Sequence, residues 1–232
     1  MEKSGFESDV VEDSSLTHRA YVRLRADLIS CRLAPGSRLN ISLLQRSLDL
    51  SQSAVREALS RLTSENLVVI ERHSGFRAAP ISNNGYAELA EACLVIEIPC
   101  LRSSIANGDL KWEGALLSTY HIASQLLARV VSGNSSLDSY VNQREEFHRK
   151  LFSASDSRWL LWAWSLLYAQ QLRYRHRFAD LARFELSLKK ENRGFLDAVI
   201  QRDVENAVLL WRHHSDAVTN FIESSQKAEN PG

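Results

Sequence analysis

The residues in this 232-residue chain best suited to chemistry are arginines and short polar side chains set at helical spacing near the N-terminus. With Ser51 as a helix N-cap, Val55, Ala58, Leu59 and Leu62 recur on one face, and Gln52, Ser53, Arg56 and Ser60 fall on the other. A helix that enters the major groove needs this division, because small polar groups at its N-terminal end reach base edges and phosphates. A solvated surface helix has the same pattern, so neighbouring residues matter. Arg72, His73 and Arg77 cluster around Gly75, a composition suited to a loop lying along the phosphate backbone or in the minor groove. Arg38 and Arg46 flank a short preceding helix.

A second set of reactive side chains lies far downstream: His148, His213 and His214 with acids nearby, and the arginines Arg102 and Arg173, which either face a ligand or are solvated helix surface. Catalysis by the histidines would call for a nucleophile elbow, a phosphate loop or an HExxH helix, and the sequence contains none. Cys31, Cys93 and Cys100 show neither CxxC nor Cys/His spacing, so no disulfide framework or zinc finger is indicated and a reducing cytoplasm is expected. The apolar run from Trp159 to Ala169 is about half the length of a membrane span. It reads as a buried helix, with Trp159, Trp162 and Trp164 as core or dimer interface rather than a ligand cage.

Charge separates the two regions. The formal net charge is zero, yet residues 14–80 carry ten Arg, no Lys and five acids. Residues 1–13 are acidic and residues 82 onward nearly balanced. A local excess built from guanidinium alone suits phosphate and base-edge contacts, since the group is a rigid planar donor fork. The acidic, polar N-terminus is the opposite of a secretory signal.

The elements that must position these groups follow from periodicity. Leu16, Ala20, Leu24 and Leu28 form one helical face, which stops before the turn signal Pro35-Gly36. Asn40 caps a short helix carrying Ile41, Leu44 and Leu48, and Ser51 caps the next. Asn66 stands where that helix should end, in a position that favours left-handed backbone. Two short β-prone runs, residues 67–70 and 76–79, around a polar Gly-containing loop read as a hairpin. The expected fold is mainly α: an N-terminal winged helix-turn-helix and then an all-α bundle of about six helices. The expected divisions are a polar tail 1–13, a DNA-binding domain 14–80, a linker 81–85, a helical domain 86–225 and a tail 226–232.

These residues carry a resemblance. Leu33 to Leu39, Leu50-Ser51-Gln52-Ser53-Ala54-Val55-Arg56-Glu57-Ala58-Leu59 and Glu65-Asn66-Leu67-Val68 resemble the N-terminal domain of the GntR family of transcription regulators. Gln52 stands where that pattern has Arg, and Asn66 where it has Gly. Further on, Phe147-His148 with Leu151, Ala198-Val199-Ile200 with Asp203, and His214 resemble the FCD ligand-binding domain of the FadR-like branch. The resemblance implies a bundle that binds an organic acid, often through a divalent metal held by one Asp and three His. Here the Asp position is Arg144, the middle His is Asn192 and an Arg expected after the linker is Cys93. Two histidines beside a guanidinium make a poor metal site, so no cofactor is expected. A metal at His148 and His214 is the alternative, and plain core histidines remain a further reading.

The sequence therefore predicts a non-enzymatic, cytoplasmic, homodimeric regulator, expected to be a repressor, that reads an inverted repeat in double-stranded DNA. Arg38, Ser51, Gln52, Ser53, Arg56, Arg72, His73, Gly75 and Arg77 are the candidate DNA contacts. Arg144, His148, Arg173, Asn192 and His214 are candidates for holding an acidic effector, with Glu97 as an internal partner for Arg144. The alternative is a constitutive dimeric DNA-binding protein without an effector.

Overall fold

A computed structural model describes residues 5–72, 75–82, 85–178 and 180–229, with side chains from Leu16 to Ala228 among these. The chain divides into two compact units, Met1–Ile81 and Ser82–Gly232.

In the first unit, α1 (Gly5–Ile29) precedes β1 (Arg38–Leu39), α2 (Ile41–Leu48), α3 (Gln52–Thr63), β2 (Val68–Glu71) and β3 (Gly75–Ala78). The polar stretch expected as a tail is helical from Gly5, in continuation of α1. The sequence between Phe6 and Ile29 contains no Gly or Pro to break the helix. Ala20, Leu24 and Leu28 bury against α3, whose Ala54, Val55, Ala58, Leu59 and Leu62 are inaccessible. Each turn uses the residue its backbone requires. Gly36 has φ +76° after Pro35, and the Ser37 N–H bonds the Ala34 carbonyl, closing a type II turn. Asp49 and Asn66 sit in the left-handed region just past α2 and α3. The expected hairpin has gained a third strand: the sheet order is β1-β3-β2, all antiparallel, with Arg38 opposite Arg77 and Val69 opposite Arg77 on the other side. β1 is two residues long, too short to leave a sequence signal.

The second unit contains α4 (Tyr86–Asn107), α5 (Leu110–Val131), α6 (Leu137–Phe152), α7 (Arg158–Arg177), α8 (Leu181–Ser187), α9 (Lys189–Ile200) and α10 (Val204–Glu229). Among the described residues that is seven helices where about six were expected. α8 and α9 meet at Leu188, without Gly, Pro or a side-chain cap to mark the joint. α4 and α7 run antiparallel, with Tyr86 against Tyr174 at one end and Asp156 bonded to Ser103 and Asn107 at the other. The carbonyls at the C-terminal end of α4 are satisfied by Arg202, which donates to Ile105 O and Gly108 O and pairs with Glu113. The run expected to be a buried helix is buried along one stripe only. Trp164, Tyr168 and Ala169 are inside, whereas Trp159 and Trp162 are 65% and 60% exposed. Among the described residues no helix is long and apolar enough to cross a membrane.

Candidate functional site

The first site is the outer face of α3. Ser51 Oγ accepts the Ala54 N–H at 3.2 Å and lies 3.0 Å from Ser53 Oγ, so the helix start is fixed by its own side chain. Gln52, Ser53, Arg56, Glu57 and Ser60 are exposed, and Arg38, Arg46 and Arg72 are exposed on the neighbouring elements. Two cross-links hold α1 to α3 and to the turn that follows it: Thr17 Oγ1 donates to Glu57 at 3.2 Å, and Glu65, just past α3, accepts from Arg25 at 2.7 Å and from Tyr21. They fix the angle at which the α3 face is presented.

At the sheet edge, Gly75 has φ +82°, a conformation that costs other residues steric strain. His73 lies outside the described residues. Arg77, expected as a DNA contact of the wing, is engaged within the unit. Its guanidinium donates to Glu71 at 2.6 and 3.1 Å and to the Gly36 carbonyl, so it ties β3 to β2 and to the Pro-Gly turn. The hydrogen bonds from Arg77 hold the Glu71 carboxyl below its ordinary pKa. Arg77 also faces Arg38 across the ladder, a like-charge pairing that Glu71 offsets.

The second site is a cleft in the helical unit, partly open to solvent and walled by α5, α6, α8, α9 and α10. Tyr140, Arg144 and His148 project into it from successive turns of α6. His214 and Trp211 enter from α10, and Asn192 and Phe195 from α9. Four of the five expected effector residues thus share one cavity. The fifth, Arg173, does not line it; it is buried on α7 and donates to Gln170 at 2.9 Å. Arg102 lies elsewhere, paired with Glu205 on the surface.

The charge chemistry centres on a residue that the sequence reading missed. Glu185 on α8, 2% exposed, pairs with Arg175 and lies 3.5 Å from Arg144 Nε, while Tyr140 O–H donates to its other oxygen at 2.6 Å. Glu97, the partner expected for Arg144, instead accepts from Trp211 Nε1 at 2.9 Å. Arg144 also donates to Tyr168 O–H at 3.1 Å. Burial alone would push Glu185 up, but Arg175 and Arg144 outweigh it and hold the carboxyl at about 2. Burial also lowers both histidines, helped by Arg144: His214 falls to about 3 and His148 well below its ordinary value. Both imidazoles are neutral near pH 7, and each has a buried Nδ1 with no hydrogen-bond partner. Two guanidiniums share one carboxylate, so the pocket floor carries a positive surplus.

This arrangement does not fit a divalent cation. Metal sites of this kind need several neutral or anionic donors converging, and Glu185 is already held by two guanidiniums while Arg144 occupies the carboxylate position. Among the described residues no group of three His, Cys, Asp or Glu could hold a metal ion. The missed residues had a faint signal. Tyr140 precedes Arg144 and His148 at a constant spacing of four, and Glu185 is the acid inside the run Leu181-Ala182-Arg183-Phe184-Glu185-Leu186.

Comparison with known proteins decides the family. Residues 16–77 match the bacterial regulatory proteins of the gntR family, and residues 88–217 match the FCD domain. The chain belongs to the GntR family. It is a DNA-binding transcription regulator with a helical FCD effector-binding domain. It is 36% identical to the HTH-type transcriptional regulator BphR of Paraburkholderia xenovorans (strain LB400), over 90% of this chain and 85% of that protein. It is 30% identical to the HTH-type transcriptional repressor GlaR of Escherichia coli (strain K12), over 84% and 90%. Among solved structures, E. coli McbR/YncC superposes with TM-score 0.78 at 17% identity, covering 90% of this chain and 98% of that one. A transcriptional regulator of Rhodococcus sp. RHA1 gives 0.74 at 23% identity, covering 90% and 97%. These two likenesses carry the fold.

Proposed function

We propose that this GntR regulator binds a short inverted repeat as a cytoplasmic homodimer, represses transcription there, and changes its DNA affinity when an acidic small molecule enters the FCD pocket. The observation that carries the effector reading is the buried surplus guanidinium at the floor of a cavity open to solvent. A cation buried at 7% exposure is costly without a partner, and Glu185 is shared with Arg175, so an entering anion completes the site. Arg144 is the anchor, with His148, Asn192 and His214 supplying hydrogen bonds. We read it as a binding site rather than a reaction centre, since its charged groups Arg144, Arg175 and Glu185 are engaged with one another and with Tyr140. A metal ion at His148 and His214 is not part of this proposal.

In the DNA-binding unit, Ser51, Gln52, Ser53 and Arg56 are assigned to the major groove, and Arg38, Arg72, His73 and Gly75 to the backbone or minor groove. Arg77 supports the wing by holding Glu71 and Gly36. Dimerisation through the helical unit is supported by the exposed Trp159 and Trp162, a large apolar pair that a free monomer would leave in water. Two-fold symmetric proteins read two-fold symmetric sites. Repression is the activity printed in the name of the E. coli relative, at 30% identity. The test is selection of DNA from a random library by the full-length protein, followed by a gel shift. Enrichment of an inverted repeat, with binding lost in Arg56→Ala, supports the proposal. An asymmetric motif, or an Arg56→Ala variant that binds as tightly as wild type, contradicts it.

A further inference from the structure

Resting on the reading of the FCD pocket as an acid-binding site, we infer that its ligand is an aromatic monocarboxylate, held without metal, with its one negative charge on Arg144 and its ring against Phe147, Phe195 and Trp211.

The single charge follows from the groups facing the cavity. Arg144 and Arg175 are each opposite Glu185, which leaves one positive charge over. The two imidazoles add hydrogen-bonding capacity and no charge. At the mouth, Lys189 and Glu191 are both exposed and offset one another. Glu97 lies behind the Trp211 ring, which donates to it, and burial raises its pKa toward the protonated form. A monoanion therefore neutralises the cluster. Among the described residues the only other Lys or Arg lining the cavity is Lys189, exposed at the mouth beside Glu191, so a di- or tricarboxylate would place further negative charge at the floor without a buried cation to meet it, and a neutral molecule would leave Arg144 uncompensated.

The flat ring follows from the walls. Tyr120, Phe147, His148, Trp211 and Phe195 form an unbroken series of ring contacts, with centroids 5.8, 5.6, 5.2 and 5.0 Å apart in that order. Such a belt offers ring faces and edges that a planar ligand can meet in offset or edge-on geometry, a gain an alkyl chain does not share. His148 and His214 add their imidazole rings to this belt, stacked on or tilted against Trp211.

Isothermal titration of the EDTA-dialysed full-length protein tests this with benzoate, phenylacetate, benzamide, hexanoate, phthalate and citrate. Benzoate or phenylacetate should bind roughly 10- to 100-fold more tightly than benzamide, the range expected for hydrogen bonds to a charged group. The preference should survive zinc addition. Arg144→Lys keeps the charge but loses the fork, and should weaken binding by about tenfold. Glu97→Gln, which replaces a carboxyl that burial pushes toward its protonated form by an uncharged amide, should leave affinity within about twofold, a change under about half a kcal/mol. Binding of hexanoate as tight as that of benzoate and phenylacetate, tighter binding of phthalate or citrate, a requirement for zinc, or about a tenfold gain in Glu97→Gln would overturn the inference while leaving an acid-binding pocket. Equal binding of benzamide and benzoate, or no binding by any of the acids, would overturn both.

Discussion

Glu185→Gln removes the only carboxylate within 4 Å of either buried arginine among the described residues. Its cost can be approached from two directions. The carboxyl is held at about 2 in the fold, against the ordinary value of 4.5, and each unit is worth about 1.4 kcal/mol, which gives about 3 kcal/mol. Removing one partner of a buried ion pair costs about 3–5 kcal/mol in general, so the two agree. For a chain of this size about 3 kcal/mol lowers Tm by roughly 6–12 °C. Tryptophan fluorescence is the assay of choice, because all five tryptophans lie in the Ser82–Gly232 unit and report on it alone. The sign with pH is fixed as well. A depressed carboxyl stabilises above its unfolded value and loses that contribution as pH falls toward 2, so Glu185→Gln should flatten the acid limb of the Tm profile. A Tm within about 2 °C of wild type, under about 1 kcal/mol, would show that Arg144 and Arg175 do not depend on Glu185.

Other outcomes follow from the same geometry. His148 and His214 are buried neutral, so the unfolded chain takes up protons first; stability of the helical unit should begin to fall as pH drops below about 6.5. Glu97, raised by burial, acts in the opposite sense, and a Tm flat from pH 7 to 5 would contradict the assignment of neutral histidines. Arg77→Ala should loosen the wing and weaken DNA binding while leaving the tryptophan melt unmoved, since its partners are Glu71 and Gly36; a gel shift with unchanged affinity would remove the wing from the account. Gln52→Arg should move base preference toward G·C at one position of each half-site, by about 1–3 kcal/mol, because Gln suits adenine and Arg guanine. An unaltered motif after selection would mean Gln52 touches no base.

Much of the DNA-binding unit was legible because its signals are local. Asn40 and Ser51 cap the helices they were expected to cap, Asn66 adopts the left-handed turn, and the inward and outward faces of α3 match burial residue by residue. What was hidden depended on pairing at a distance: the two-residue β1, and the capture of Arg77 by Glu71 and Gly36. In the helical unit, the uncapped joint at Leu188 left no mark in the sequence, so α8 was not foreseen as separate. α8 is also where Glu185 sits. Arg144, His148, Asn192 and His214 were gathered by resemblance, but their partners came from packing: Glu185 rather than Glu97 for Arg144, and α7 contributing Arg175 from behind instead of Arg173 to the cavity. The exposure of Trp159 and Trp162 was not readable from an apolar run whose helical stripe is only partly covered.

The most direct test joins the two units: fluorescence anisotropy of the selected DNA bound to the full-length protein, titrated with the acid panel in wild type and Arg144→Lys. Release of the DNA by an aromatic monocarboxylate in wild type, at a concentration about tenfold higher in the variant, is the predicted result. Anisotropy that no acid changes, or that changes alike in both proteins, would contradict an effector site built on Arg144.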